Sequence, residues 1–323
     1  MRPHIAPSLI AISCLSVMTT GCTIGDVDSD TTSRTTLGQP SPTLAQQQPA
    51  IAESALPPAP APAPDSNATG LPSDLAAALE SIVTDTQNEL GGVVGIAIAG
   101  PEGVVTAGTQ AGVPAWSTIK VPISIAALRA NPGNDVLMRQ AITVSDNDAA
   151  RALWDSLGSP REKVGAVLAQ GGDPQTQVND QPVRPEFSVF GQTQWALGPQ
   201  AMFARHMGCV AGSGPVLDAM SEIVSSQRYG LGSIPGARFK GGWGPNLSGS
   251  YDVRQFGLVP ISGVIVPVAV TAQASDGAYE SGQQLLTRMA TKLASFNGSV
   301  PSAECVLSFG HYRLTGASLE LSL

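Results

Sequence analysis

Three short motifs contain the residue types that a serine acyl-transfer site needs. In chain order they are Ser117-Thr-Ile-Lys120, Ser145-Asp-Asn147 and Lys240-Gly-Gly242. A serine hydroxyl becomes a strong nucleophile only when a neighbouring group takes its proton, and a lysine can do this when burial or nearby positive charge lowers its pKa. The set therefore predicts a nucleophilic serine whose base is a lysine.

The first motif places Ser117 and Lys120 three residues apart, in a stretch predicted to be helical to about Arg129. Side chains at this spacing lie on one face of a helix. A lone motif of this kind is more often a helix cap followed by a surface lysine. Here Lys120 stands in the apolar run from Ile119 to Leu128, where burying an unused lysine would cost free energy. We expect Ser117 to be the nucleophile and Lys120 its general base.

The other two motifs supply groups that can handle the substrate. Ser145 stands at the predicted start of a helix, where it can pass a proton between Lys120 and a leaving group, and Asn147 can bind a substrate amide. A plain helix N-cap is the alternative interpretation. Lys240 to Gly242 ends a predicted strand, where glycines let a substrate backbone approach and the lysine can attract a carboxylate. A glycine-rich turn is the alternative there.

Other chemistries have little support in the sequence. Beyond the N-terminal segment the chain has only two histidines, His206 and His311, and it has no G-x-S-x-G, G-x-G-x-x-G or P-loop pattern. We therefore expect no metal and no cofactor. The formal net charge is −8 with scattered acidic residues, and without a basic patch we expect no nucleic-acid partner.

The N-terminus has the pattern of a bacterial lipoprotein leader. Arg2 precedes a mostly apolar stretch from Ile5 to Met18, and Thr19-Thr-Gly-Cys22 follows. We expect residues 1–21 to be removed as a signal peptide and Cys22 to carry the lipid, which would anchor the protein to the outer face of the bacterial cell membrane. A plain signal peptide is the alternative. Residues 22–72 are rich in Thr, Pro and Ala, which predicts a disordered tether.

The remaining chain predicts one domain over residues 73–296, followed by a tail over 297–323. The predicted order is a helix from Ser73 to about Leu90, a β-hairpin, several helices, three strands and a last helix over 279–295. The helices in between are predicted from Ser117 to about Arg129 and over 136–157, 161–170, 199–209 and 215–226. A sheet built from both chain ends is typical of an α+β sandwich. The long polar segment from Pro174 to Gly198 is a candidate functional loop. Cys209 and Cys305 are expected to form a disulfide, with two free thiols as the alternative.

These residues resemble the penicillin-recognising serine enzymes, the family of serine β-lactamases and D-alanyl-D-alanine peptidases. The similarity is carried by Trp116 to Val121, Ala141 to Leu153, Gly158 to Gly171 and Tyr251 to Gln273. It covers roughly residues 75–296. It implies a β-lactamase-like sandwich, with a five-stranded antiparallel sheet flanked by helices.

The resemblance also implies a role for each motif residue. Ser117 would be the nucleophile, Lys120 the general base and Ser145 the proton relay. The substrate would be bound by Asn147, Lys240, Gly242 and Trp243, and the backbone N–H groups of Ser117 and Trp243 would form the oxyanion hole.

Two departures from the class A β-lactamases concern the shape of the cleft. The short gap between Ser117 and Ser145 predicts a reduced helical region and a more open site. In the third motif Gly241 replaces the usual hydroxyl residue, and Trp243 would place a ring at the cleft edge. Arg254 is a candidate to compensate for the lost donor.

A third departure concerns the water that releases the acyl group. Class A enzymes use a loop glutamate, but an ungapped placement of the loop puts Pro182 at that position. The nearest acids are Asp180 and Glu186, and either can serve only if the loop is rebuilt. We expect acylation with slow deacylation.

The sequence as a whole predicts a membrane-tethered, monomeric serine hydrolase. Its substrates would be β-lactams or D-alanyl peptides of the cell wall. One alternative is a binding lipoprotein of the same fold that recognises wall peptides or an envelope partner. Another is an esterase with an open apolar cleft.

Overall fold

The computed structural model describes residues 73–305. The predicted leader, Cys22, the tether over 22–72 and residues 306–323 lie outside this range. Within it, no helix has the length and apolar character that crossing a membrane requires.

The main sheet joins the two ends of the described chain. Its order is β2-β1-β7-β6-β5, and every neighbouring pair is antiparallel. A separate two-stranded ribbon pairs β3 with β4. The strands are β1 Val93–Gly100, β2 Gly103–Gly108, β3 Val113–Pro114, β4 Gln194–Trp195, β5 Arg238–Pro245, β6 Tyr251–Ile261 and β7 Val264–Gln273.

Helices cover both faces of this sheet. The helices are α1 Ser73–Leu90, α2 Lys120–Ala130, α3 Asp135–Thr143, α4 Asn147–Asp155, α5 Pro160–Gln170, α6 Leu197–His206, α7 Gly214–Ser221 and α8 Tyr279–Ala294. Helices α1 and α8 contact each other and the sheet, α6 packs on β1, β6 and β7, and α2 to α5 form a helical region beside them. The predicted α+β sandwich with a five-stranded antiparallel sheet is confirmed.

The central strands are buried on both faces, which explains their composition. Seven of the eight residues of β1 are buried, in the burial pattern eBBBBBBB. A strand covered on both sides needs a nearly continuous apolar run rather than alternation. Gly95 lies so close to the carbonyl oxygen of Thr109 that a Cβ there would overlap it. The small and apolar residues of β1 therefore allow the sheet to be the middle layer.

Three predicted element boundaries are wrong. The helix expected over 136–157 is two helices, because the chain turns at Ser145, whose φ is 62°. The helix expected over 215–226 ends at Ser221. The segment expected to be irregular from Pro174 to Gly198 contains a 3-10 turn at Phe190–Gln192 and strand β4, and α6 begins before it ends.

The predicted disulfide is confirmed and holds the end of the described chain to the domain. Cys209 and Cys305 are joined with an S–S distance of 2.10 Å. Backbone hydrogen bonds reinforce this attachment, from Ala303 N to Ile265 O at 2.8 Å and from Glu304 N to Arg205 O at 2.9 Å. Residues 297–305 therefore follow the surface of α6 and β7.

Candidate active site

The predicted nucleophile lies on a tight turn that leads into α2. Trp116–Ile119 forms a 3-10 turn, and the backbone N–H of Lys120 donates to the carbonyl oxygens of Ser117 and Thr118. Side chains three residues apart eclipse in a 3-10 turn, so Ser117 and Lys120 share one face. The sequence predicted an α-helix from Ser117, whereas the α-helix begins at Lys120.

A buried chain of hydrogen bonds holds this turn in place. Thr118 Oγ1 donates to Ala115 O at 2.5 Å and accepts from Gln200 Nε2 at 3.1 Å. Arg254 Nη2 then donates to Gln200 Oε1 at 2.6 Å. The network joins this turn to α6 and β6 through buried side chains, which restricts the backbone that carries the nucleophile.

Arg254 has a positioning role rather than the substrate-binding role considered from the sequence. Its guanidinium is fully buried and donates to the carbonyl oxygens of Val113 at 2.8 Å, Pro114 at 3.2 Å and Trp195 at 2.8 Å. These contacts join β6 to the β3–β4 ribbon. The compensation proposed for the missing hydroxyl at Gly241 is therefore wrong.

Trp116, directly before the nucleophile, has a strained backbone. Its φ is 50°, a conformation that costs a non-glycine residue on the order of 1–3 kcal/mol. The ring is 2% exposed, and among residues 73–305 its buried Nε1 has no hydrogen-bond partner. Phe187 packs its ring edge on this indole with centroids 5.2 Å apart. Packing from the loop thus keeps Trp116 in a conformation that it would not adopt alone.

The second motif meets Lys120 directly. Lys120 Nζ donates to Ser145 O at 2.5 Å and to Asn147 Oδ1 at 2.7 Å, and it lies 3.3 Å from Ser145 Oγ. Asp146 accepts from Ala149 N at 2.7 Å and so caps α4. The cap and the lysine contacts together fix the turn that carries Ser145 and Asn147.

The third motif brings a second lysine to the same serine. Lys240 Nζ donates to Ser145 Oγ at 2.9 Å and to Gly241 O at 3.0 Å. Burial, and then the positive charge of Lys120, lower the pKa of Lys240 well below its ordinary value. Ser145 Oγ therefore bridges two buried lysines whose charges repel each other. This arrangement favours loss of one proton from the pair.

The glycines of the third motif let β5 approach the nucleophile turn. The motif lies inside β5 and does not end it as predicted. A Cβ on Gly242 would lie 2.8 Å from Ser117 N, and one on Gly244 would lie 2.5 Å from the ring of Trp116. Any side chain at Gly242 would push the strand away from Ser117. The contact of Gly242 is thus with the nucleophile's own backbone.

The opposite face of β5 carries Gly241 and Trp243. The hydroxyl of Tyr229 lies 3.7 Å from the place where a Cβ of Gly241 would stand. Trp243 is 8% exposed and stacks on Tyr279 with centroids 5.1 Å apart. The Trp243 ring, which was predicted to stand at the cleft edge, is therefore packed into an aromatic cluster beside the cleft.

The two candidate deacylation acids are both paired with arginines. Asp180 Oδ1 lies 3.5 Å from Arg161 Nη1, and Glu186 Oε1 lies 3.0 Å from Arg184 Nε. A backbone hydrogen bond and Arg184 lower the pKa of Glu186, which makes this carboxylate a weaker base. In this structure both carboxylates, Asp180 and Glu186, therefore make ion pairs that help to hold the loop over 174–196.

The loop over 174–196 is closed mainly by its own side chains. Gln192 accepts from Arg184 N at 2.7 Å and donates to Arg184 O at 2.9 Å, to Phe187 O at 3.2 Å and to Ser188 O at 3.3 Å. Arg184 covers the ring of Phe187 at 4.3 Å and donates to Pro245 O at 2.6 Å. The loop is thereby joined to the end of β5, beside a cavity of about 940 Å³.

Residues 73–305 contain no group of three or more His, Cys, Asp and Glu side chains placed to hold a metal ion. The described site is instead built from hydroxyl, amine and amide groups.

Several residues that shape the site lie outside the three motifs, and of these only Arg254 was a candidate from the sequence. Gln200, Arg254, Tyr229 and Tyr279 stand far from the motifs and belong to no recognisable pattern. Tertiary contacts bring them to it: Gln200 on α6 bonds Thr118 and Arg254, and Tyr279 on α8 meets Tyr229. A polar residue in a predicted buried strand, such as Arg254 between Val253 and Phe256, is the one sign available beforehand.

Solved structures with similar folds are β-lactamases. The TLA-3 extended-spectrum β-lactamase aligns with a TM-score of 0.56 at 13% identity, over 68% of this chain and 98% of its own. A β-lactamase from Sphaerobacter thermophilus DSM 20745 aligns with a TM-score of 0.54 at 19% identity, over 70% and 98%. A β-lactamase from Xanthomonas campestris pv. campestris str. ATCC 33913 aligns with a TM-score of 0.55 at 14% identity, over 69% of this chain and 99% of its own.

Sequence comparison alone is less informative. No protein-family model and no curated protein matches the chain. The structural likeness nevertheless extends over nearly the whole length of each of these neighbours. This chain therefore has the fold of the serine β-lactamases.

Proposed function

We propose that the protein is a serine hydrolase that acts through an acyl-Ser117 intermediate. The observation that carries this proposal is the contact of Lys120 and Lys240 with one hydroxyl, Ser145 Oγ, beside the nucleophile turn. Structural support alone does not require two buried lysines around a serine, since burying ammonium groups is costly. Proton transfer is a task that such a pair of amines around a hydroxyl can perform.

The reaction would proceed in two steps. Lys120 takes the proton of Ser117 Oγ, which attacks the acyl carbon, and the backbone N–H groups of Ser117 and Trp243 stabilise the oxyanion. Ser145 passes a proton to the departing atom, and the bond between the acyl carbon and that atom breaks. Water then releases the acyl group slowly, because Asp180 and Glu186 are engaged with arginines.

Its substrates would be β-lactams or D-alanyl peptides of the cell wall, with Asn147 and Lys240 as substrate ligands. The leader pattern and the tether support a location at the outer face of the membrane, with lipid on Cys22. The intact mass of the wild type, purified from membranes, is compared with that of a Cys22→Ser variant to test whether Cys22 carries a lipid. If the two masses differ only by the substitution itself, the proposed lipid on Cys22 is contradicted.

A second candidate is a binding protein of the same fold that recognises wall peptides or an envelope partner. Gly241 in place of a hydroxyl residue, and the paired state of both loop acids, favour it.

Intact-mass spectrometry of residues 70–323 after incubation with a penicillin distinguishes the two candidates, with Ser117→Ala as the matched control. We expect a persistent adduct on the wild type only. Labelling of Ser117→Ala would contradict the assignment of the nucleophile. If the wild type forms no adduct and leaves the penicillin intact, the binding protein becomes the better proposal.

A further inference from the structure

A cavity of about 660 Å³ borders the second and third motifs. Its lining includes Val144, Trp243, Tyr251, Asp276, Tyr279 and Glu280. Val144 directly precedes Ser145, and Trp243 follows Lys240 by three residues on β5. The cavity therefore adjoins the turn that carries Ser145 and the strand that carries Lys240.

The cavity lies next to the turn that carries Ser145, since Val144 lines it. Ser145 Oγ contacts both Lys120 and Lys240, so it is the hydroxyl placed to protonate the departing atom. The opposite side of the centre is covered by the loop over 174–196, where Phe187 packs on Trp116. A substrate whose acyl carbon sits at Ser117 would thus extend its leaving group into this cavity.

Aromatic rings form much of the cavity wall. Trp243 stacks on Tyr279 with centroids 5.1 Å apart, and Tyr251 lies 5.8 Å from Tyr279. Tyr229 joins the cluster, since the Tyr279 hydroxyl lies 3.3 Å from its own. Three of the four tyrosines in the chain therefore meet at this place. Electron-rich ring faces attract cations, and tryptophan does so most strongly.

The charges around the cavity have one sign. Asp276 and Glu280 are exposed acids in the lining, and the described lining residues include no lysine, arginine or histidine. Asp276 accepts from Ala278 N at 2.9 Å and from Ser281 Oγ at 2.7 Å. Of the nearby cations, Lys240 alternates to the other face of β5 from Trp243, and Arg254 is held by carbonyl oxygens.

We propose that this cavity binds the leaving-group portion of the substrate and selects one that carries a positive charge, such as a quaternary ammonium or pyridinium group. The inference rests on the proposed acyl transfer at Ser117 and narrows its substrate class. Ring faces and two carboxylates act on the same cation, so the preference for it falls when either is removed or when salt is added.

Two cephalosporins with the same 2-thienylacetamido side chain test the preference. One carries pyridiniomethyl at C3 and the other carries acetoxymethyl. Acylation rate constants are measured by intact mass at low salt and divided by each compound's rate of alkaline hydrolysis, which removes the difference in intrinsic reactivity. We expect the pyridinium compound to acylate about tenfold faster after this correction. Equal corrected rates would overturn the inference while leaving the proposed function intact.

A matched pair of variants locates the effect. Glu280→Gln should reduce the preference at least about threefold, because one carboxylate leaves the cavity. Glu102→Gln, an equally exposed change on the turn between β1 and β2, should leave it unchanged. An unchanged preference in Glu280→Gln would overturn the assignment to this cavity. If neither compound acylates the wild type, the proposed function fails, and the inference fails with it.

Discussion

The two sides of the reaction centre are built in different ways. On one side, three separate segments supply Lys120, Ser145 with Asn147, and Lys240; these residues contact one another, and all but Asn147 are buried. On the other side, the loop over 174–196 is held mostly by hydrogen bonds among its own residues. The first side is fixed by several distant segments, whereas the second is held mainly from within and meets the rest through contacts such as Phe187 on Trp116 and Arg184 with Pro245.

This difference bears on the two halves of the reaction. The proposed acylation would use the buried lysines and serines, whose positions depend on β5, α2 and α4 together. The proposed deacylation would need a base that activates a water molecule. The two acids predicted for that task, Asp180 and Glu186, lie in the loop over 174–196. We therefore expect substitutions in the loop to affect acylation less than substitutions of the buried lysines.

The largest effect is expected from removing the amine of Lys120. Lys120→Met should lower the acylation rate constant at least about 10³-fold, because a general base contributes up to about 10⁴-fold. The rate is measured by intact mass with a penicillin. Lys163→Met, on α5, is the control and should retain the wild-type rate. An acylation rate within tenfold of wild type would refute the base assignment.

A smaller effect is expected from Lys240, and it appears in the pH dependence. The base must be neutral to accept a proton, so acylation rises with pH through the apparent pKa of the lysine pair. The repulsion that lowers the pKa of Lys240 acts within this pair. Lys240→Gln removes it and should move the acidic limb of the profile upward by about one pH unit.

This shift has a clear control. Arg139→Gln removes a surface cation that is paired with Glu222 and should leave the limb in place. A limb that stays in place or moves to lower pH in Lys240→Gln would show that the two amines do not titrate as a pair.

The loop should respond differently from the buried lysines. Gln192→Ala removes the hydrogen bonds that close the loop and should destabilise it by about 2 kcal/mol. Limited proteolysis should then cut within 181–192, while acylation changes less than about threefold. Gln194→Ala is the control, since that side chain is exposed and makes one long bond at 3.4 Å. A loss of acylation as large as in Lys120→Met would show that the two sides are not independent.

The smallest effect is expected from the loop acids. Asp180→Asn and Glu186→Gln should each change the lifetime of the acyl-enzyme less than about twofold, as substitutions on the surface usually do. The lifetime is measured as the decay of the mass adduct. A tenfold longer lifetime in either variant would identify that residue as the activator of water.

The sequence predicted much of the fold and the members of the motif cluster. Elements with a clear apolar run or helical periodicity were predicted, and each is present. They are strand β1, the helix over 73–90 and the two long C-terminal strands β6 and β7. The roles of Ser117 and its neighbours stay predictions, but the structure does bring Lys120, Ser145, Asn147 and Lys240 together.

The remaining features depend on tertiary contacts that no local pattern encodes. The turn at Ser145 interrupts a stretch with helical periodicity because Lys120 binds its carbonyl oxygen. The task of Arg254 is set by four acceptors from other segments, including Gln200. The tyrosine cluster forms because α8 packs beside β5 and β6, which places Tyr279 over Trp243. Spacing along the chain does not reveal such meetings.

The strand order has a consequence for how the molecule forms during synthesis. Strand β1 lies between β2 and β7, so the N-terminal hairpin gains its second neighbour only after the ribosome has made the chain through Gln273. Pairings of such long sequence separation slow folding. Until then one edge of β1 is unpaired, and β5, which carries Lys240, is not yet joined to β1 through β7 and β6. We expect a chain that stops before β7 to need protection from aggregation and to show no acylation of Ser117.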